Sequence, residues 1–176
     1  MARAAMKRIL IIGSGGAGKS TLARRLGEAL GIEVFHLDKI HWRENWTESP
    51  KAEFREAVED VLRKDEWIMD GNFGGTMEIR LPACDTVIFL DFPRTTCLYR
   101  VIKRRLTYRG TNRPDMAEGC NEKIDFEFLH WVWTFPTRAK PEIEERLARF
   151  GKEKTLFRLR SRREVENFLM NLKIFG

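Results

Sequence analysis

An α/β fold in three layers, a five-stranded parallel sheet between two sets of helices, is what this 176-residue sequence predicts. Three observations carry the expectation. Short β-branched apolar runs alternate with stretches of helical periodicity. The first run leads straight into a glycine-rich loop that opens a helix. Aspartates stand at the ends of three later runs, at the carboxyl edge where open parallel sheets bind their ligands.

The first strand is the buried-type run Ile9-Leu10-Ile11-Ile12. Gly13-Ser14-Gly15-Gly16-Ala17-Gly18-Lys19-Ser20 follows it and fits G-x-x-x-x-G-K-[ST], the phosphate-holding loop of the P-loop NTPase fold. Its glycines let several backbone N–H groups point into one concavity that accepts anionic oxygens. The helix behind it adds a positive N-terminal end. Leu22, Leu26, Ala29 and Leu30 mark that helix and Gly31 its C-cap. Glu33–Leu37 is the second strand, ending at Asp38. Ser49-Pro50 then reads as an N-cap with proline at the first helical position, and Phe54, Val58, Val61 and Leu62 as the buried face.

Trp67-Ile68-Met69 is the third strand and delivers Asp70-Gly71-Asn72. Thr86–Leu90 is the fourth, ending at Asp91-Phe92-Pro93. A helix over 94–108 presents Leu98, Val101, Ile102 and Leu106. Residues 107–121 are polar with no clear period, an aromatic-rich helix covers 122–135, and a polar helix covers 141–149. Thr155–Leu159 is the fifth strand. Ser161 caps the last helix, with Glu164 three residues on completing a capping box. The length suits one domain over 1–176, with 107–140 as a lid between strands four and five.

The formal net charge is +6, which suits phosphorylated ligands and also permits loose attraction to nucleic acid. Three scattered cysteines, Cys84, Cys97 and Cys120, make no disulfide framework, and a reducing cytoplasm fits. No apolar run reaches transmembrane length. The N-terminal apolar run continues into the loop and reads as core strand rather than signal peptide.

The loop over Gly13–Thr21 is the expected ATP cofactor site. Lys19 reaches the β- and γ-phosphates and the Ser20 hydroxyl is the expected Mg²⁺ ligand. Phosphoryl transfer also needs a carboxylate near the acceptor and support for the metal. Asp38 suits the first task and Asp70 the second, the other reading of each being a turn or cap residue at a strand end, which is the favoured reading of Asp91. Around them His36, His41, Trp42, Gly71 and Asn72 are candidate contacts for a small-molecule acceptor. At 100° per residue Arg105 and Arg109 fall within about 20° of Leu98, on the buried stripe of their helix. With Arg104 and Arg113 they are candidates to stabilise the transferring phosphoryl group, or else a solvated basic face. Phe126, Phe128, Trp131, Trp133 and Phe135 are either lid packing or an apolar wall for the acceptor.

These residues together resemble the adenylate-kinase-like branch of small P-loop kinases. Within it, His36–Trp42, Asp70-Gly71-Asn72-Phe73, Arg113-Pro114-Asp115-Met116 and Leu159-Arg160-Ser161 are similar to the bacterial DNA topology modulation protein family. The resemblance implies an acceptor region after strand two, a lid between strands four and five, and adenine packing at Arg160-Ser161. It places Asp38 at the acceptor carboxylate of shikimate-kinase-like enzymes. His36 stands where that pattern has a metal-linked aspartate, which shifts the metal to Ser20, Asp70 and water. Adenylate kinases carry Asp-Gly-Phe-Pro-Arg after strand three; Asp70-Gly71-Asn72-Phe73 lacks the proline and arginine, which argues against AMP as acceptor. The other function class is an ATP-responsive regulator that touches DNA through its basic surface, though no helix-turn-helix or other DNA reader is legible.

Overall fold

The computed structural model describes residues 6–107 and 126–174. In chain order these form β1 (Arg8–Gly13), α1 (Lys19–Leu30), β2 (Val34–His36), α2 (Leu37–His41), β3 (Trp42–Arg43), a 3₁₀ turn (Glu44–Trp46), β4 (Thr47–Glu48) and α3 (Lys51–Leu62). Then come β5 (Trp67–Asp70), α4 (Gly74–Ala83), β6 (Thr86–Leu90), α5 (Arg94–Thr107), α6 (Phe126–Thr134), α7 (Ala139–Phe150), β7 (Thr155–Leu159) and α8 (Arg162–Ile174). Five strands make one sheet in the order β2-β5-β1-β6-β7, every pair parallel. This is the expected fold class. From β1 the chain goes to the edge strand β2, returns inward to β5, then crosses to β6 on the other side of β1 and steps out to β7, so that a crevice opens beyond the carboxyl end of β1.

The apolar run of β1 has no polar alternation because both of its faces are covered. Ile9 and Ile11 pack with Leu22, Leu26, Val101 and Leu169 on one side. Leu10 and Ile12 pack with Phe54, Val58, Met77 and Leu147 on the other. Gly31 closes α1 as expected, in the left-handed region with its N–H on the Gly27 carbonyl. The Ser161 hydroxyl accepts the Glu164 N–H at 3.2 Å, and the Glu164 carboxylate takes the Arg160 N–H at 2.8 Å. Among the described residues no helix is long and apolar enough to cross a membrane.

Four expectations need correction. Ser49 does not cap α3. Pro50 holds that position, while the Ser49 hydroxyl and N–H bond to the carbonyls of Ile40 and His41 and close the β3–β4 hairpin. Asp38 is not at a strand end but in the first turn of the short helix α2. Ala29 is exposed, because Leu22, Ala23 and Leu26 form the buried line of α1. Ile102 and Leu106 of α5 are 51% and 73% exposed. That helix turns its Cys97–Val101 line to the phosphate loop, and positions 102 and 106 then fall 100° and 140° round from Val101. The hairpin and α4 had no sequence expectation. α4 opens on two glycines and contains Pro82, both poor helix signals.

Candidate active site

The loop between β1 and α1 is built against α5. Gly16 sits at φ +78°, and a Cβ there would stand 2.3 Å from the Cys97 carbonyl and 2.9 Å from the Val101 side chain. Both the dihedral and the space demand glycine. Gly16→Ala is expected to cost about 1–3 kcal/mol and, if the loop holds a nucleotide as its motif predicts, to weaken that binding at least tenfold. Thermal melts and nucleotide calorimetry on the same sample check both.

Lys19 folds back over the loop, its ammonium donating to the Gly13 and Ser14 carbonyls at 3.0 Å each. Burial pushes its pKa below the ordinary lysine value, while the Asp38 and then the Asp70 carboxylates pull it up. The Ser20 hydroxyl donates to Asp70 Oδ2 at 2.8 Å, and Asp70 Oδ1 lies 2.6 Å from His36 Nδ1. The β2–β5 register makes this possible, since it sets His36 directly opposite Asp70. Asp70 is thereby locked, 4% exposed, beneath Ser20.

Asn72 clamps the start of the loop. Its amide oxygen accepts the Gly13 N–H at 3.1 Å and its amide nitrogen donates to the Gly13 carbonyl at 2.8 Å. The loop carrying Asn72 is in turn held by Arg80 of α4, a residue the sequence reading did not single out. Arg80 is 0% exposed. Its guanidinium donates to the carbonyls of Gly71 and Phe73 at 2.9 Å each, to the Asn72 carbonyl, and to the Thr76 hydroxyl at 3.0 Å. Arg100 was missed as well. It donates to the Ala17 carbonyl at 3.1 Å and its guanidinium carbon lies 4.5 Å from the centre of the Phe92 ring.

Beside these contacts lies a cavity of about 1100 Å³, which Lys19, Ser20, Asn72 and Arg100 line and from which Asp70, His36 and Arg80 are set back. Its floor is Gly15, Gly16, Gly18, Lys19, Ser20 and Thr21. Asp38, Trp42, Gly71 and Asn72 close one side, and Arg100 and Arg104 of α5 another. The lining thus gathers residues of the loop, Asp38 and one predicted arginine, Arg104. Gly13, Ser14 and Ala17 are the buried base of the loop rather than its surface.

The remaining candidates are placed elsewhere. His36 is engaged by Asp70. His41 is enclosed by the rings of Trp42, Phe54 and Phe73, with centroids 4.8–5.1 Å away. Neither histidine lines the cavity, which runs against their reading as substrate contacts. Arg105 is half-buried and off the cavity, because on α5 the line facing the loop passes through Arg100 and Arg104. Arg160 and Ser161 do not line it either. The Ser161 hydroxyl is engaged as a helix cap and Arg160 leans toward Asp91 at 3.8 Å. Arg109 and Arg113 lie outside the described residues. Asp91 is no turn residue: it takes Lys140 at 2.8 Å and Arg158 at 3.2 Å, and Arg158 pairs both oxygens of Glu144, tying α7 to the sheet. The aromatic stretch divides. Phe128 and Trp131 line the cavity, Phe135 is core, and Trp133 lies under the Arg94 guanidinium at 3.9 Å.

No protein-family model matches the chain, and no curated protein matches it. Solved structures do. A shikimate kinase from Bacteroides thetaiotaomicron is 21% identical, with a TM-score of 0.53 over 97% of this chain and 98% of its own. The shikimate kinase from Acinetobacter baumannii, solved in complex with shikimate, is 16% identical, with a TM-score of 0.58 over 96% of this chain and 91% of its own. At these identities the likeness is one of fold.

Proposed function

We propose that the protein is a small P-loop kinase that transfers the γ-phosphoryl group of ATP to a hydroxyl of a small-molecule acceptor. The observation that carries this reading is that one cavity contains both the Lys19–Ser20 end of the phosphate loop and the Asp38 carboxylate. Donor and acceptor would then share a single enclosure, as an in-line transfer requires.

The residues fit a triphosphate with its metal. The loop is shaped so that even one added methyl at Gly16 collides with backbone. The Ser20 hydroxyl and Asp70 carboxylate, 2.8 Å apart, are the hard oxygen donors that Mg²⁺ prefers. When bound, Mg²⁺ neutralises the β- and γ-phosphate oxygens. Ser20 would hold it, with Asp70 acting through water and His36 keeping Asp70 in place.

Lys19 holds the phosphates from below, with the loop N–H groups beside it. Arg100 and Arg104 supply positive charge from α5, and Arg109 and Arg113 are the lid arginines of the same reading. Asp38 orients the acceptor hydroxyl and receives its proton. The likeness to the DNA topology modulation proteins fits a kinase whose acceptor is not AMP. Free, buried Cys84 and Cys97 fit a reducing cytoplasm.

A screen of nucleosides, nucleotides and small metabolites for acceptor-stimulated ADP release tests the proposal directly. Asp38→Asn is expected to slow turnover about 10²–10⁴-fold, the range for a positioned general base, with ATP affinity held within a few-fold. ATP affinity lost in step with rate would contradict the role given to Asp38.

A further inference from the structure

The acceptor side of the cavity has a chemistry of its own. The β3–β4 hairpin sets Trp42 directly opposite Glu48, so indole and carboxylate stand side by side on one face, and both line the cavity. Trp46, at the turn of the same hairpin, meets Trp42 at 68° with ring centroids 5.5 Å apart and lines the cavity as well. Two indoles meeting at a steep angle beside a carboxylate form a corner for a cation: the ring faces attract positive charge and the carboxylate neutralises it.

Asp38, Glu48 and Glu142 line the same cavity, and Arg146 of α7 stands 3.5 Å from Glu142 with its guanidinium over the start of α4 near Gly74. Glu48 has no ion-pair partner among the described residues.

Building on the kinase reading above, we infer that the acceptor is a hydroxylated amine: a small alcohol bearing a protonated or quaternary ammonium group, which the Trp42–Trp46–Glu48 corner holds. The ammonium is the handle and not the nucleophile. The acceptor hydroxyl oxygen bonds to the γ-phosphorus, the bond from that phosphorus to the β-γ bridging oxygen breaks, ADP leaves, and the hydroxyl proton passes to Asp38. The ammonium keeps its charge throughout.

The test compares amino sugars, aminocyclitols, amino alcohols and choline with their uncharged and carboxylate counterparts, for example glucosamine with glucose and gluconate. ADP release and calorimetry without ATP are both read. The expected result is that the acceptors are amines, binding at least tenfold tighter than the uncharged counterparts. Glu48→Gln should weaken the amine about tenfold and leave the uncharged counterpart unchanged, and Trp42→Leu should act in the same direction. If carboxylate or phosphate alcohols are phosphorylated and amines are not, the inference falls while the kinase reading stands. If no alcohol of any class accepts a phosphoryl group from bound ATP, both fall together.

Discussion

Lys19→Ala is expected to lower acceptor-stimulated ADP formation by about a thousandfold or more, in line with the loss of a charged group that stabilises a transferring phosphoryl. The side chain is already aimed: its ammonium lies over the loop, held by the Gly13 and Ser14 carbonyls. Those neutral oxygens do not neutralise its charge, and phosphate oxygens would. A second consequence follows from burial, which keeps the Lys19 pKa below its ordinary value of 10.5. In the alkaline window between the folded value and 10.5 the unfolded chain binds more protons than the folded one, so this residue makes stability rise with pH there. Lys19→Ala removes that rise. Melts from neutral to alkaline pH and turnover on the same variant separate the two effects. Turnover near the wild-type level would end the case for this loop as the ATP site.

The parts of this fold that were legible in the sequence are those written in contiguous residues. The phosphate loop is one octapeptide, and the strands that face helices on both sides are unbroken apolar runs such as Ile9–Ile12. Asp70 was readable because a strand end is a position as well as a residue. Asp38 reads in the sequence as a strand end, because the five-residue helix α2 on which it stands is too short to show a period. The hairpin of two-residue strands that brings Trp42 to Glu48 leaves no pattern either. The arginines mark the limit of helical periodicity as a signal. An arginine on an apolar stripe reads as inward-facing, and Arg105 on α5 fits that pattern yet lies off the cavity. Arg80 meets it better, standing between Met77, Leu81 and Cys84, all 1% exposed. It went unseen because Gly74, Gly75 and Pro82 hid the helix on which such a stripe is defined.

Arg80→Met is the substitution expected to cost most in stability, about 3–5 kcal/mol, from three buried carbonyls left without their donor at about 1–3 kcal/mol each and partly offset by the charge no longer buried. Exchanging a whole buried ion pair for apolar side chains is often nearly neutral, but Arg80 is not in such a pair. Its partners are the Gly71, Asn72 and Phe73 carbonyls and the Thr76 hydroxyl, and the carbonyls stay behind when the guanidinium goes. Each carbonyl that water fails to reach costs about 1–3 kcal/mol, which offsets any gain from removing a desolvated charge. That charge persists at neutral pH even though burial pushes the Arg80 pKa down to about 9. Arg80→Lys should recover part of the loss, because an ammonium restores charge but not the planar fork that spans three carbonyls. The damage should also travel. Asn72 leaves the loop that Arg80 holds and binds Gly13 through two hydrogen bonds, so slack at Arg80 becomes slack at the start of the glycine-rich loop. A drop in melting temperature of about 10 °C accompanied by weaker ATP binding is the expected pair of results. Asn72→Ala should weaken ATP binding with a smaller drop, since Gly71 and Phe73 keep their arginine. A melting temperature for Arg80→Met within a degree of wild type would mean that the three carbonyls find other donors and that the chain of support from α4 to the phosphate loop does not exist.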